Sequence, residues 1–132
     1  MNWYERYPAR LAAEIALWRS ATNARVLRNE MTILADEDVT LGSITFGLRL
    51  TYPKDFPFKS PRVDLLYPDL PVSVGVHRYN DGSLCLTSPD DWAPARTGVW
   101  IRGRAVLWLH SLILCGETGV WPDLAGLAAR SI

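Results

Sequence analysis

The chain has little that would mark a membrane, secreted or nucleic-acid-binding protein. Its longest uncharged run, residues 105–116, is twelve residues long. A membrane-spanning helix requires ~20, so this run reads as a buried helix and no membrane contact is expected. Glu5, Arg6 and Pro8 stand near the N-terminus with no apolar h-region, so no secretory signal is expected. The only cysteines are Cys85 and Cys115, thirty positions apart. Two are too few for a disulfide scaffold, and they lack metal-ligand spacing. The thiols are therefore expected to be reduced and the protein cytoplasmic. Fourteen basic residues cancel fourteen acidic ones, which leaves no basic footprint for nucleic acid. There is no Gly-rich phosphate loop, internal repeat or low-complexity stretch. No cofactor or metal is expected.

What is present suits one domain over residues 1–132, with six Trp, five Tyr and three Phe to build a core. Leu11, Ile15 and Trp18 fall on one helical face over residues 8 to about 20, and Pro8 fits the first turn. Residues 24–34 read as a strand interrupted by Arg28, Asn29 and Glu30, and Asp36, Glu37 and Asp38 as a turn. Ile44, Phe46, Leu48 and Leu50 then alternate with Thr45, Gly47, Arg49 and Thr51, a strand with one buried face. Residues 62–67 repeat the theme with Val63 and Leu65 inward. Between them, Pro53, Pro57 and Pro61 cannot donate to a ladder, so the connection must leave the sheet. Residues 104–115 predict a helix stopped by Gly116, and Trp121, Pro122 and Asp123 begin a final helical turn. Helix, antiparallel strands, long loop and helix make an α+β layout.

From Tyr67 to about Arg102 the chain loses regular patterning, and long irregular segments inside small domains are commonly functional. This one carries His77, Arg78, Tyr79, Asn80, Asp81, Gly82, Ser83, Leu84, Cys85 and Leu86, followed by Asp91, Trp92, Ala93 and Pro94. A reactive thiol would sit in such a place, although a cysteine between two leucines is by composition more often a small buried hydrophobe.

The sequence Tyr52-Pro53-x-x-Phe56-Pro57-Phe58-Lys59-Ser60-Pro61-Arg62-Val63 resembles the proline-rich connection of ubiquitin-conjugating enzymes. Gly82-Ser83-Leu84-Cys85-Leu86 resembles the segment around their catalytic cysteine, and Asp91-Trp92-Ala93-Pro94 is similar to the Trp-x-Pro that follows it. The likeness runs from Ile44 to about Trp121, with the three motifs in the family's order. The family's His-Pro-Asn triplet is absent, and ungapped alignment from Cys85 places His77 where its Asn would stand. With His77-x-Tyr79-x-x-Gly82-Ser83-Leu84-Cys85-Leu86, and Trp108-Leu109 and Thr118-Gly119-Val120-Trp121 downstream, the chain looks instead like the prokaryotic branch, and within it is most similar to the small stand-alone proteins of bacterial anti-phage CBASS operons. The resemblance implies a ubiquitin-conjugating-enzyme-like fold and a Cys85 thioester that conjugates a protein C-terminus to an amine. It implies a protein partner, either a cGAS-like nucleotidyltransferase or a ubiquitin-like protein.

A carbonyl attacked by an amine gathers negative charge on oxygen, and a donor aimed there is worth ~10²–10³ in rate. His77 is the candidate donor or proton acceptor, with Tyr79 and Asn80 as further polar candidates. Gly82 permits a turn that a Cβ would forbid, and Asn80-Asp81-Gly82 is a good turn sequence in its own right. Trp92 reads as a wall beside the thiol, Pro94 as a stiffener, and Asp90 and Asp91 as carboxylates able to hold an incoming lysine. Cys115, Trp100, Trp108 and Trp121 read as core, and His110 as a satisfied structural residue. Two other functions compete: an inactive binding module of the same fold, and a thiol hydrolase using Cys85 and His77.

Overall fold

Alternation decides the centre of the molecule. Phe46, Leu48 and Leu50 are buried along one face of a strand, as period-two spacing requires. That strand is β3 (Ile44–Thr51) of a four-stranded antiparallel sheet, ordered β1 (Arg25–Arg28), β2 (Ile33–Leu41), β3, β4 (Arg62–Tyr67). Two helices precede the sheet, α1 (Trp3–Arg6) and α2 (Pro8–Ala21), and α3 (Gly98–Thr118) follows it. The computed structural model describes residues 1–29, 32–69, 77–88 and 90–122. The architecture is mixed α+β, with an N-terminal helix, an antiparallel sheet and a C-terminal helix.

Trp18 of α2, Ala35, Leu48, Leu50 and Val63 of the sheet, and Ala105 of α3 line one small pocket together with Glu37 and Arg102. Ile101, Trp108 and Leu109 carry the same core along α3. The proline-rich connection leaves the sheet as expected and tucks Tyr52 and Phe56 beneath it, 1% exposed each, where they pack against Trp3. Phe58 points the other way and is 62% exposed.

Several local readings are corrected. Residues 24–34 are not one strand; β1 ends at Arg28, and Asn29 turns the chain by bonding Thr32 at 3.0 and 2.7 Å. The acidic triplet Asp36-Glu37-Asp38 lies inside β2, not in a turn. Distant partners hold each carboxylate: Arg49 takes Asp36 through two 2.8 Å bonds, Arg102 takes Glu37, and the Tyr67 hydroxyl donates to Asp38. The actual turn uses Gly42, at φ 63. Ile44 shares the parity of the buried residues but is 42% exposed, because it stands at the end of the sheet.

On α2 the fully buried residues are Trp18 and Glu14, while Leu11 and Ile15 are only partly covered. Helix α3 starts earlier than expected because the Thr97 hydroxyl accepts the Trp100 N–H at 3.0 Å and caps it. It runs through Gly116 and stops at Gly119, whose φ of 76 suits a residue without Cβ. Trp121 and Pro122 are not helical, and Asp123 lies outside the described residues. Trp108 is core, whereas Trp100 and Trp121 are partly covered. Cys115 is half-buried rather than internal, and His110 is exposed.

Candidate active site

The Cys85 segment is a short hairpin. The Gly82 N–H reaches the Tyr79 carbonyl at 2.9 Å, and the Tyr79 N–H reaches the Ser83 carbonyl at 2.8 Å. Asn80, Asp81 and Gly82 thus form the loop, with Gly82 at φ 89 in the left-handed position that three-residue hairpins use. Arg78 and Leu84 bridge across the arms, and the Cys85 N–H closes on the His77 carbonyl at 2.8 Å. Asp81 folds back on Ser83, accepting from its N–H at 2.9 Å and its hydroxyl at 2.6 Å. The Arg78 guanidinium braces the turn from behind through the Gly82 carbonyl, at 3.0 and 2.8 Å.

The returning arm is fastened on both sides. Its Leu84 N–H bonds the Val63 carbonyl of β4 at 2.9 Å, and Arg104 of α3 donates to the Leu86 carbonyl. Leu84 and Leu86 are each 3% exposed. In an extended arm neighbours point to opposite sides. Sinking both leucines therefore turns the intervening Cys85 outward, and its side chain is only partly buried. The leucines that suggested an inert cysteine are what present it.

A groove of about 390 Å³ runs beside this arm. Phe58, Pro61, Arg62, Tyr79, Leu84, Leu86 and Trp92 line it, the neighbours of Cys85 on its arm rather than Cys85 itself. The Trp92 indole N–H donates to the Pro57 carbonyl at 2.8 Å, which ties the Trp-x-Pro segment to the proline connection. These two motifs and the cysteine arm, far apart in sequence, meet here.

Burial pushes the Cys85 thiol above its ordinary pKa; a Tyr79 hydrogen bond opposes the rise and the Asp81 charge adds to it. The Tyr79 phenol is itself raised, by burial first and then by the Cys85 charge. Its hydroxyl has one proton, and the bond to the Thr87 carbonyl is long, 3.4 Å.

His77 sits at φ 71, a conformation unusual for a residue with a Cβ. Its carbonyl accepts from Cys85 and also from the Trp108 indole, at 3.1 Å. Its imidazole stacks on Trp121, centroids 4.8 Å apart and planes at 26°. The bonds that join His77 to the cysteine are main-chain bonds. Asn80 is exposed at the loop tip. Asp91 is 8% exposed and bonds its own turn, accepting from the Ser88 hydroxyl at 3.1 Å. Asp90 is exposed. Among the described residues no cluster of His, Cys, Asp and Glu could hold a metal, and no helix is long and apolar enough to cross a membrane.

Two residues of this region escaped the sequence reading. Asp81 was visible only as turn material, although Asp-x-Ser is the pattern of a side chain capping its own loop. Arg62 reaches Asp81 at 3.1 Å, across nineteen positions, with no local signal to announce it.

The fold and site thus define a mixed α+β domain with one partly exposed cysteine on an arm whose flanking leucines line an aromatic groove. No family model and no curated protein matches the chain.

Proposed function

We propose that the protein is a cysteine-dependent acyltransferase of the ubiquitin-conjugating-enzyme-like type. Cys85 accepts the activated C-terminus of another protein as a thioester and passes it to an amine. The supporting observation is the partial exposure of Cys85 between two buried leucines that line a groove carrying Phe58, Tyr79 and Trp92.

The chemistry runs in two exchanges. The Cys85 thiolate attacks the carbonyl carbon of a partner-bound acyl group; the new S–C bond forms and the partner's leaving group departs with the electron pair. An unprotonated amine then attacks the same carbon, the C–S bond breaks, Cys85 leaves as thiolate, and the amine releases its proton to solvent. Tyr79 is the side chain with a proton to offer the sulfur in both steps. His77 shapes the loop through its carbonyl. A thiol of raised pKa is a sluggish nucleophile while unpartnered but forms a thioester that resists stray hydrolysis. That balance suits a carrier more than a hydrolase, whose thiol needs a base within ~3 Å. The partner we propose is a cGAS-like nucleotidyltransferase of an anti-phage system, acting in the cytoplasm.

Intact-mass measurement after incubation with an activated partner C-terminus tests the reading. Wild type gains an adduct that thiol reductant removes, Cys85→Ser gains a reductant-resistant one, and Cys85→Ala gains none. An adduct on Cys85→Ala equal to wild type, or no adduct on wild type, overturns it.

A further inference from the structure

Helix α3 is apolar on the side that faces water as well as on the side that faces the core. Its two arginines are turned to the protein: Arg102 donates to Glu37 at 2.9 and 2.5 Å, and Arg104 to the Leu86 carbonyl. The open side carries Gly103, Leu107, His110 and Leu114 instead, with Leu107 37% and Leu114 38% exposed. Val106 and Ile113, only partly covered, stand beside them. A helix at the surface of a monomer normally turns polar residues to water. Extended by Trp100 at one end and Glu117 at the other, the row advances by three and four residues in alternation. That 3.5-residue repeat is the one by which a helix lies along another helix. Gly103 interrupts the row as a notch, with nothing within 4 Å of where a Cβ would stand.

We infer that α3 is the contact through which two copies of this chain associate, antiparallel, about a two-fold axis passing between positions 108 and 109. Such a contact must be self-complementary, and this row is. The axis sets Leu114 of each copy into the Gly103 notch of the other, and Leu107 against His110. At the two ends it sets Glu117 against Trp100, on whose ring the guanidiniums of Arg96 and Arg104 stack at 4.0 and 5.0 Å. The one carboxylate of the row therefore meets two cations of the other copy. Parallel pairing fails the same test, since it lays Glu117 on Glu117 and leaves a gap where Gly103 meets Gly103. The matched strip is about 27 Å long and ~10 Å wide. That is well below the ~800 Å² per partner of stable complexes, so the dimer is weak and half-formed at roughly 0.1 mM. The inference does not rest on the proposed function, because association needs no acyl chemistry.

Sedimentation velocity of the full chain from ~5 μM to ~1 mM tests it, with half-association expected near the middle of that range. Leu114→Glu buries a carboxylate at both ends of the contact and should abolish association while leaving Tm unchanged, its side chain being exposed in the monomer. Glu117→Arg faces the stacked guanidiniums and should weaken association about fivefold, less so in ~1 M salt. Register is read by cross-linking in a Cys85→Ala, Cys115→Ala background. Gly103→Cys and Leu114→Cys copies, mixed and oxidised, should join to each other and neither to itself. Antiparallel pairing separates like positions by ~16 Å along the helix, beyond the ~4.4–6.8 Å that a disulfide spans between Cα atoms. A wild-type chain that stays monomeric at ~1 mM overturns the inference, whether this side of α3 is covered by other residues of the chain or kept for a different protein. Association unmoved by Leu114→Glu, or each cysteine copy cross-linking to itself, overturns it equally. A missing acyl adduct bears on the proposed function alone.

Discussion

Glu14 is a carboxylate 2% exposed in the middle of α2, and its replacement by Ala tests how the site is held. One oxygen accepts from the Tyr52 hydroxyl at 2.6 Å and from the Gly98 N–H at 2.7 Å; the other accepts from Arg10 Nε at 3.3 Å. Arg10 in turn donates to the carbonyls of Pro94 and Arg96, at 2.7 and 2.5 Å. One side chain thereby joins α2, the proline connection, the Trp-x-Pro segment and the first N–H of α3. The acid also lies at the positive end of the α3 dipole. Removing it leaves a buried N–H without its acceptor, at ~1–3 kcal/mol, and deprives a buried hydroxyl and a guanidinium of theirs. Tyr52 still accepts from the Trp18 indole at 2.8 Å, but its own O–H is left without an acceptor. The sum is about 3–5 kcal/mol. At the usual unfolding entropy per residue, that lowers Tm by roughly 10–18 °C for a chain of this length. Glu14→Gln, which retains one acceptor, should cost about half as much. Calorimetry or urea titration measures both. A loss under ~1 kcal/mol for Glu14→Ala would refute the assignment of this carboxylate as the junction of the fold.

Gly98→Ala should be as damaging by another route, since its Cβ would lie 2.2 Å from the Tyr52 hydroxyl and 3.1 Å from Glu14 Oε1. We expect ~2–4 kcal/mol by denaturant titration, and less than the sum when combined with Glu14→Ala, because the two share partners. Tyr79→Phe keeps the ring but removes the proton offered to the sulfur, so Cys85 alkylation at neutral pH should slow several-fold; an unchanged pH profile would exclude Tyr79 from the site. Asp36 is held below the usual carboxyl range, chiefly by its hydrogen bond to Arg49. A depressed folded pKa contributes stability that is complete above the unfolded value, ~3.9, and is lost as pH falls through the lower folded one. With Arg49 40% exposed, the contribution is about 1 kcal/mol or less. Acid titration of Asp36→Asn should accordingly run flatter than wild type below about pH 4.

Much of the layout was legible in the sequence, because the signals were local and repeated. Period-two alternation in β3 and β4, the four-and-three spacing of α2 and the prolines of the connection each act on adjacent backbone. They gave the α+β class and the exit of residues 52–61 from the sheet. Asn80-Asp81-Gly82 likewise declared a turn, since left-handed backbone at Gly82 is a property of one residue. The segment carrying Cys85 was recognisable, too, from the company it keeps in the chain.

The larger misreadings were non-local. Asp36, Glu37 and Asp38 looked like a turn because their cations, Arg49 and Arg102, and the Tyr67 hydroxyl come from elsewhere in the fold. Helix α3 looked six residues shorter at its start, because its cap is Thr97 and its first N–H is received by Glu14, eighty-four positions away. His77 was read as a candidate catalytic ring, and what places it could not be read locally: Trp108 bonds its carbonyl and Trp121 stacks on its ring. The exposure of Cys85 was decided by which leucines sank into the core. Local propensity acts through adjacent backbone, whereas burial and ion pairing depend on what folding brings near. The sequence by itself determined the α+β class, the exit of the proline connection and the turn before Cys85; only the tertiary structure decided where the strands and α3 begin and end and which side chains of the cysteine arm sink into the core.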